Sequence, residues 1–192
     1  MTAIRRLTIA GHDAIFELTP AKFSDDRGFF SEVYNKATLA DLGFDLNFVQ
    51  DNQSLSRTVG TVRGLHFQSN PFAQAKLIRV LRGAIFDVAV DLRHGSPTYG
   101  QHVSTVIRAD DWTQILVPSG FAHGFCTLEP DTDVLYKVDA PYSPKHDYGL
   151  LWCDPALSIA WPVEPAAAVV SDKDKKLPRL SELASYFSYS QD

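Results

Sequence analysis

KLIRVLRGAIFDVAVDLR, residues 76–93, holds two apolar runs on either side of a single glycine, Gly83. Each run is rich in Ile, Val, Leu or Phe and is only as long as a typical strand, so the stretch predicts two successive β-strands. Runs of the same kind recur outward from it in both directions: FFSEVYN (29–35), NFVQDNQS (47–54), TVRGLHFQ (61–68), HVSTVIR (102–108), AHGFCTL (122–128) and DVLYKVD (133–139). Turn signals separate them, among them SDDRG (24–28), HGSPTYG (94–100), VPSG (117–120) and APYSP (140–144). These are more strands than one open sheet usually holds without curling, which makes an all-β sandwich or barrel the economical architecture. KATLADLG (36–43) predicts a helical turn or two, and the segment from Ser171 to Leu183 reads as turn and short helix. With no internal repeat, low-complexity tract or linker, residues 1–192 read as one domain.

Composition narrows the class of function. With 18 Lys and Arg against 23 Asp and Glu, the net charge of −5 gives no general pull toward nucleic acid or an anionic membrane, so any anion would be held by a local arginine site. The opening MTAIRRLTIAGHD has no long apolar run after its arginines, which argues against a signal peptide or a membrane span and leaves a cytoplasmic location as the expectation. Cys126 and Cys153 lie far apart outside any CxxC pattern, as reduced packing thiols would.

Strand alternation shows which polar residues share a face with apolar ones. Lys76 lies on the face of Ile78 and Val80, His123 on that of Phe125, and Tyr136 on that of Val134 and Val138; Gln50 and Asn52 also point one way. These are candidates for an interior cavity. Arg63 and His66, in RGLHFQ (63–68), have opposite parity in an unbroken strand. They can serve one site only if Gly64 relaxes the strand into a bulge or bend.

Several residues carry chemistry. His66 could accept a proton near neutral pH, although a lone histidine is more often a satisfied core residue. An oriented base takes a carboxylate on its second nitrogen; Asp172 and Asp174 in SDKDKK are candidates, while Ser171 and Asp174 also resemble a helix cap. Arg27 and Arg63 each adjoin a glycine, and guanidinium forks aimed at one cavity would suit a diphosphate. No P-loop and no GxGxxG is present. Lys76 could hold an ammonium over a ketone oxygen and stabilise an enolate, and the Tyr136 phenol could return a proton to the opposite face. Asp87 and Asp91 are unusual in so apolar a strand; either could orient His123, or both could face solvent.

Taken in order from Lys22 to Asp174, FSDDRGFFSEVYN, FVQDNQSLS, VRGLHFQ, AQAKLIRVLRGAIFDVAVDLRHGSPTYG, VPSGFAHGF, VLYKVDAPYSP and SDKD resemble the dTDP-4-dehydrorhamnose 3,5-epimerases. The resemblance implies a cupin-type jelly-roll barrel with short peripheral helices, no metal or other cofactor, and a homodimer. It implies a dTDP-4-keto-6-deoxy sugar as substrate, epimerised at C3 and C5. By the same resemblance His66 is the general base, Asp174 its orienting carboxylate, Tyr136 the general acid and Lys76 the lysine near the C4 oxygen. His123, Arg27, Glu32, Gln50, Asp51, Asn52, Arg63 and Lys173 match substrate contacts, and Tyr142 matches the aromatic that stacks on thymine. Where the family usually has glutamate after YSP this chain reads KHDYG, so Asp147 would serve with a shorter reach. Metal-binding cupins begin their ligand set with HxH and a following glutamate; HFQSNPFAQAK (66–76) lacks the second histidine and brings in Lys76. Two alternatives stay open on sequence: a relative that inverts only one carbon, and a cupin that binds a sugar nucleotide without turnover.

Overall fold

The computed structural model describes residues 2–189. In chain order the strands are β1 (Ala3–Ile9), β2 (His12–Thr19), β3 (Phe23–Asp25), β4 (Gly28–Phe30), β5 (Gln50–Ser56), β6 (Thr61–Gln68), β7 (Lys76–Arg82) and β8 (Ala84–Asp91). They continue with β9 (Arg93–His94), β10 (His102–Arg108), β11 (Gln114–Val117), β12 (Phe121–Thr127), β13 (Thr132–Val138), β14 (Asp147–Gly149), β15 (Val169–Val170) and β16 (Phe187–Ser188). One sheet has the order β1-β2-β11-β7-β13-β5; the other has β10-β8-β12-β6-β14, with β15 added to β6. The expected all-β jelly roll is therefore present as two facing sheets rather than one closed ring of hydrogen bonds.

Inward residues of both sheets form the main core. Ile15, Ile78, Val80, Ile115 and Val134 come from the first sheet, and Ile85, Ala89, Ile107, Phe121 and Phe125 from the second. The outer faces are covered as well. Leu18, Leu77 and Leu116 of the first sheet pack against Leu39 of the helix α1 (Lys36–Asp41), with Phe44 and Phe48 nearby. On the second sheet Leu65, Phe67, Val88, Val90 and Leu150 are covered by the C-terminal segment through Leu157, Tyr186 and Phe187. Burial on both faces is why β7 and β8 read as nearly continuous apolar runs.

Differences from the sequence reading have local causes. Of FFSEVYN only Phe29 and Phe30 are in a strand; residues 31–35 run on outside any ladder to Asn35, which in extended conformation caps α1, its Oδ1 accepting from the N–H groups of Ala37 and Thr38. β5 starts at Gln50, three residues into NFVQDNQS. The hairpin of β1 and β2 was not foreseen: the first five residues of β1 carry two arginines and little buried surface, so no apolar pattern marks it. β11 escaped by being only four residues long. No helix among the described residues is long and apolar enough to cross a membrane.

Candidate active site

The conflict of parity between Arg63 and His66 is resolved by a bulge. Across the β6–β12 ladder Arg63 stands opposite Phe125 and His66 opposite His123, so Gly64 and Leu65 together face Gly124 alone. The extra residue returns Arg63 and His66 to one face, while Leu65 turns fully into the outer core. Only glycine fits the crossing. Gly64 has φ +127°, and a Cβ there would lie 2.6 Å from the Gly124 Cα and 2.9 Å from the His123 carbonyl oxygen. A Cβ on Gly124 would in turn lie 2.7 Å from the Arg63 carbonyl oxygen. Gly64→Ala is expected to cost about 3 kcal/mol in denaturant unfolding, since both contacts are with backbone; a melt within error of wild type would contradict the crossing.

Arg63 and His66 open onto a cavity of about 480 Å³ between the sheets. His123 and Phe125 line the same wall; Lys76 and Ile78 of β7, Val134 and Tyr136 of β13, and Ser54 of β5 form the wall opposite. Lys173 and Asp174 reach it from a 3-10 turn after β15. An adjoining lobe of about 180 Å³ shares His66, Lys76, Tyr136 and Lys173 and adds Gln50, Asn52, Gln68, Gln74, Tyr142 and Asp147.

Two histidines are each held by a carboxylate. His66 Nε2 lies 2.7 Å from Asp174 Oδ1, and Asp174 also accepts from the Gly64 N–H. Burial pushes the Asp174 carboxyl up, but the hydrogen bond and charge of His66, the Gly64 amide and Ser171 together outweigh it and leave the group below its ordinary range. The carboxylate therefore stays ionised through neutral pH. Ser171 Oγ accepts from the Asp174 N–H, although the cap position of the turn is Lys173 rather than Ser171, and the Asp174 side chain turns to His66. His123 Nε2 lies 2.8 Å from Oδ2 of Asp87, which is fully buried. Asp91 is also buried, but it is tied to Arg93, Ser96 and Thr98 and takes no part in the cavity.

Lys76 is 8% exposed and donates to the His66 carbonyl oxygen at 3.1 Å. Burial lowers its amine to about 8, against the opposing pull of Asp147 and Asp87. Burial raises the Tyr136 phenol; Arg63 works against that and Asp147 with it. Tyr136 pairs with Ile78 on one side and Asn52 on the other, so β13 sets it beside the lysine strand and the Gln50–Asn52 strand together.

In the adjoining lobe Asp147 receives the Tyr142 hydroxyl at 3.0 Å and the Lys173 ammonium, and Gln50 Oε1 accepts from the Tyr142 N–H. Arg63 is steadied by Ser56, which accepts from its Nε at 3.0 Å. Three candidates lie elsewhere. Asp51 faces outward and pairs with Lys137, because the alternation that brings in Gln50 and Asn52 turns it away. Glu32 lies beside Val33 and Tyr34 at the foot of α1. Arg27, its side chain 90% exposed, pairs with Asp25 on the β3–β4 hairpin. Sequence reasoning did not single out Ser54, Ser56 or Phe125; the period-2 pattern in QDNQSLS marks the two serines as sharing the face of Gln50 and Asn52. Among the described residues no group of three or more His, Cys, Asp or Glu is placed to hold a metal ion.

A family model described as dTDP-4-dehydrorhamnose 3,5-epimerase matches residues 9–182. The dTDP-4-dehydrorhamnose 3,5-epimerase of Sinorhizobium fredii is 54% identical over 172 residues, 90% of this chain and 88% of that protein. Among solved structures, the Bacillus anthracis dTDP-4-dehydrorhamnose 3,5-epimerase with TDP and PPi bound has a TM-score of 0.86 at 54% identity, covering 92% of this chain and 99% of its own. The Legionella pneumophila dTDP-6-deoxy-D-glucose-3,5-epimerase, in complex with dTDP-4-keto-L-rhamnose, has a TM-score of 0.92 at 36% identity and full coverage of both chains. With the two-sheet fold, the bulged RGLH strand and matches over nearly its whole length, the chain belongs to the dTDP-4-dehydrorhamnose 3,5-epimerase family.

Proposed function

We propose that the cavity binds dTDP-4-dehydro-6-deoxy-glucose and inverts C3 and C5 to give dTDP-4-dehydro-L-rhamnose, for dTDP-rhamnose biosynthesis. The observation that carries this reading is that His66 and Tyr136 stand on opposing sheets across one cavity, with Lys76 beside Tyr136's strand. Inversion at carbon needs a base on one face of the ring and an acid on the other.

The C3 and C5 protons are both alpha to the C4 ketone. His66 takes the proton as the C–H bond breaks, and the electron pair moves into an enolate whose oxygen lies by the Lys76 ammonium. Tyr136 then delivers its phenolic proton to the far face, the enolate collapses to the ketone, and exchange with solvent returns Tyr136 and His66 to their starting states. Asp174 is the positioning carboxylate of His66, and His123 a contact to the sugar. Arg63, Lys173, Gln50 and Asn52 hold the diphosphate and nucleoside, Tyr142 packs on the base, and Asp147 fastens Tyr142 and Lys173. Remote binding of the nucleotide holds the ring in reacting geometry.

The reading includes a homodimer. Arg27 and Glu32 lie away from their own cavity, and the β3–β4 hairpin that carries Arg27 exposes Phe23, Phe29 and Phe30 by 62%, 53% and 69%. Docking of that hairpin on a second copy would cover the three rings and bring Arg27 to the other copy's site. A cytoplasmic setting suits the free thiols Cys126 and Cys153.

The test is proton NMR of dTDP-4-dehydro-6-deoxy-glucose with the protein in deuterated water, with a rhamnose-forming reductase to trap product. Loss of both the C3 and C5 signals with reducible product is expected; loss of one signal would make the protein a single-centre epimerase. Binding without exchange would make it a sugar-nucleotide-binding protein. In the same assay Tyr136→Phe is expected to lower net epimerisation about a hundredfold while some wash-out of the C–H signal persists. A fully active variant would remove Tyr136 as the acid.

A further inference from the structure

We propose that Gln68 is a positioning residue for the nucleotide end of the site, its single buried amide setting the backbone that presents Tyr142. This rests on the reading of Tyr142 as the surface for the nucleobase. Gln68 ends β6 two residues after His66, and it is 3% exposed. Its Nε2 donates to the Pro141 carbonyl oxygen at 3.1 Å and to the Phe72 carbonyl oxygen at 2.8 Å, and its Oε1 accepts from the Ser143 N–H at 2.7 Å. The amide thus brackets Tyr142, taking the carbonyl before it and the N–H after it, as a neighbouring strand would.

Among the described residues no other side chain makes both contacts. The N–H of Tyr142 itself goes to Gln50 and its hydroxyl to Asp147, so Gln68 fixes the backbone while those two fix the residue's own polar groups. Tyr142 is 56% exposed, and little packing holds it in place. With the amide gone, the loop would sample several placements of the ring, and the ligand would have to select one. The cost falls on binding. The reacting groups lie on β6, β7 and β13, whose ladders are made by backbone bonds, whereas the Gln68 side chain bonds only to residues outside those strands, so kcat is expected to stay within about threefold while KM rises.

The experiment is calorimetric titration of dTDP into wild type, Gln68→Met, Tyr142→Ala and the double variant, with steady-state kinetics on each. Gln68→Met keeps the length of the side chain and removes all three hydrogen bonds. Expected are a loss of dTDP affinity of about tenfold in Gln68→Met and a double variant no weaker than Tyr142→Ala. Gln68→Asn keeps an uncharged amide but withdraws it by one methylene from all three partners; it should lower affinity in the same direction, and it carries the same comparison should Gln68→Met not fold. Unchanged affinity in the folded variant, losses that multiply in the double variant, no loss in Tyr142→Ala, or a fall in kcat without a rise in KM would each overturn the proposal. Wild type that binds dTDP but does not epimerise would remove the epimerase reading and leave this comparison standing; wild type that does not bind dTDP would overturn both.

Discussion

His66→Ala is expected to abolish solvent exchange at both C3 and C5, by about a thousandfold or more, with dTDP affinity within about threefold of wild type. The two readouts part because the proposed binding mode sets the sugar at His66 and the nucleotide at Arg63, Lys173 and the Tyr142 loop, which line different parts of the cavity and its adjoining lobe. Asp174→Asn should lose less, about a hundredfold, since the imidazole remains but the acceptor that fixes its 2.7 Å contact and its charge are replaced. Deuterium wash-in measured on each variant checks the pair. Exchange at C3 surviving in His66→Ala while C5 stops would assign the second base elsewhere, with His123 the nearest alternative across the ladder.

Replacing Lys76 has the second largest expected effect: Lys76→Met should lower kcat/KM by about a hundred- to a thousandfold, as when a donor to a developing oxyanion is removed. The same residue predicts a pH dependence. Its amine sits at about 8 in the folded protein, against an ordinary 10.5, so the free enzyme loses the cation as pH rises through 8, and kcat/KM should fall above that point. Lys76→Arg should abolish that alkaline limb, whatever rate remains. Stability moves the other way. Between about 8 and 10.5 the unfolded chain binds more protons at this position than the folded one, so the lysine's contribution to stability rises with pH across that window. Denaturant unfolding at pH 7.5 and 10, compared between wild type and Lys76→Met, checks the sign. A lysine contribution that falls with pH would contradict burial as the cause.

The polar residues of the cavity were legible because strands have a strict period. Lys76, Tyr136 and His123 each announce their direction by the apolar residues two positions away, and the structure places all three on one cavity. The breach of that period between Arg63 and His66 was equally informative, since only a bulge at Gly64 reconciles them. What strand period could not settle was anything that depends on distant chain segments. Asp172 and Asp174 were both candidates for His66, but the one that meets it, Asp174, lies 108 positions away, on a turn with no strand period to orient it. Asp87 could be seen as odd, but not which of Asp87 and Asp91 would meet His123. That depended on the β8–β12 register, which sets His123 opposite Ala89 and leaves Asp87 opposite Phe125. Asp51, Glu32 and Arg27 show the reverse limit. Asp51 and Glu32 entered through the resemblance alone and Arg27 also through its neighbouring glycine, and within one chain the side chains of all three lie away from the cavity.

The reacting groups sit mainly on strands, whereas Tyr142 sits on a connection between β13 and β14. That division makes the molecule modular for redesign. Residues 140–146 could be exchanged for a loop suited to another nucleobase, provided the replacement offers Gln68 a carbonyl and an N–H in the same places. Selectivity for the carrier and speed at the sugar would then be adjusted by separate edits to the chain.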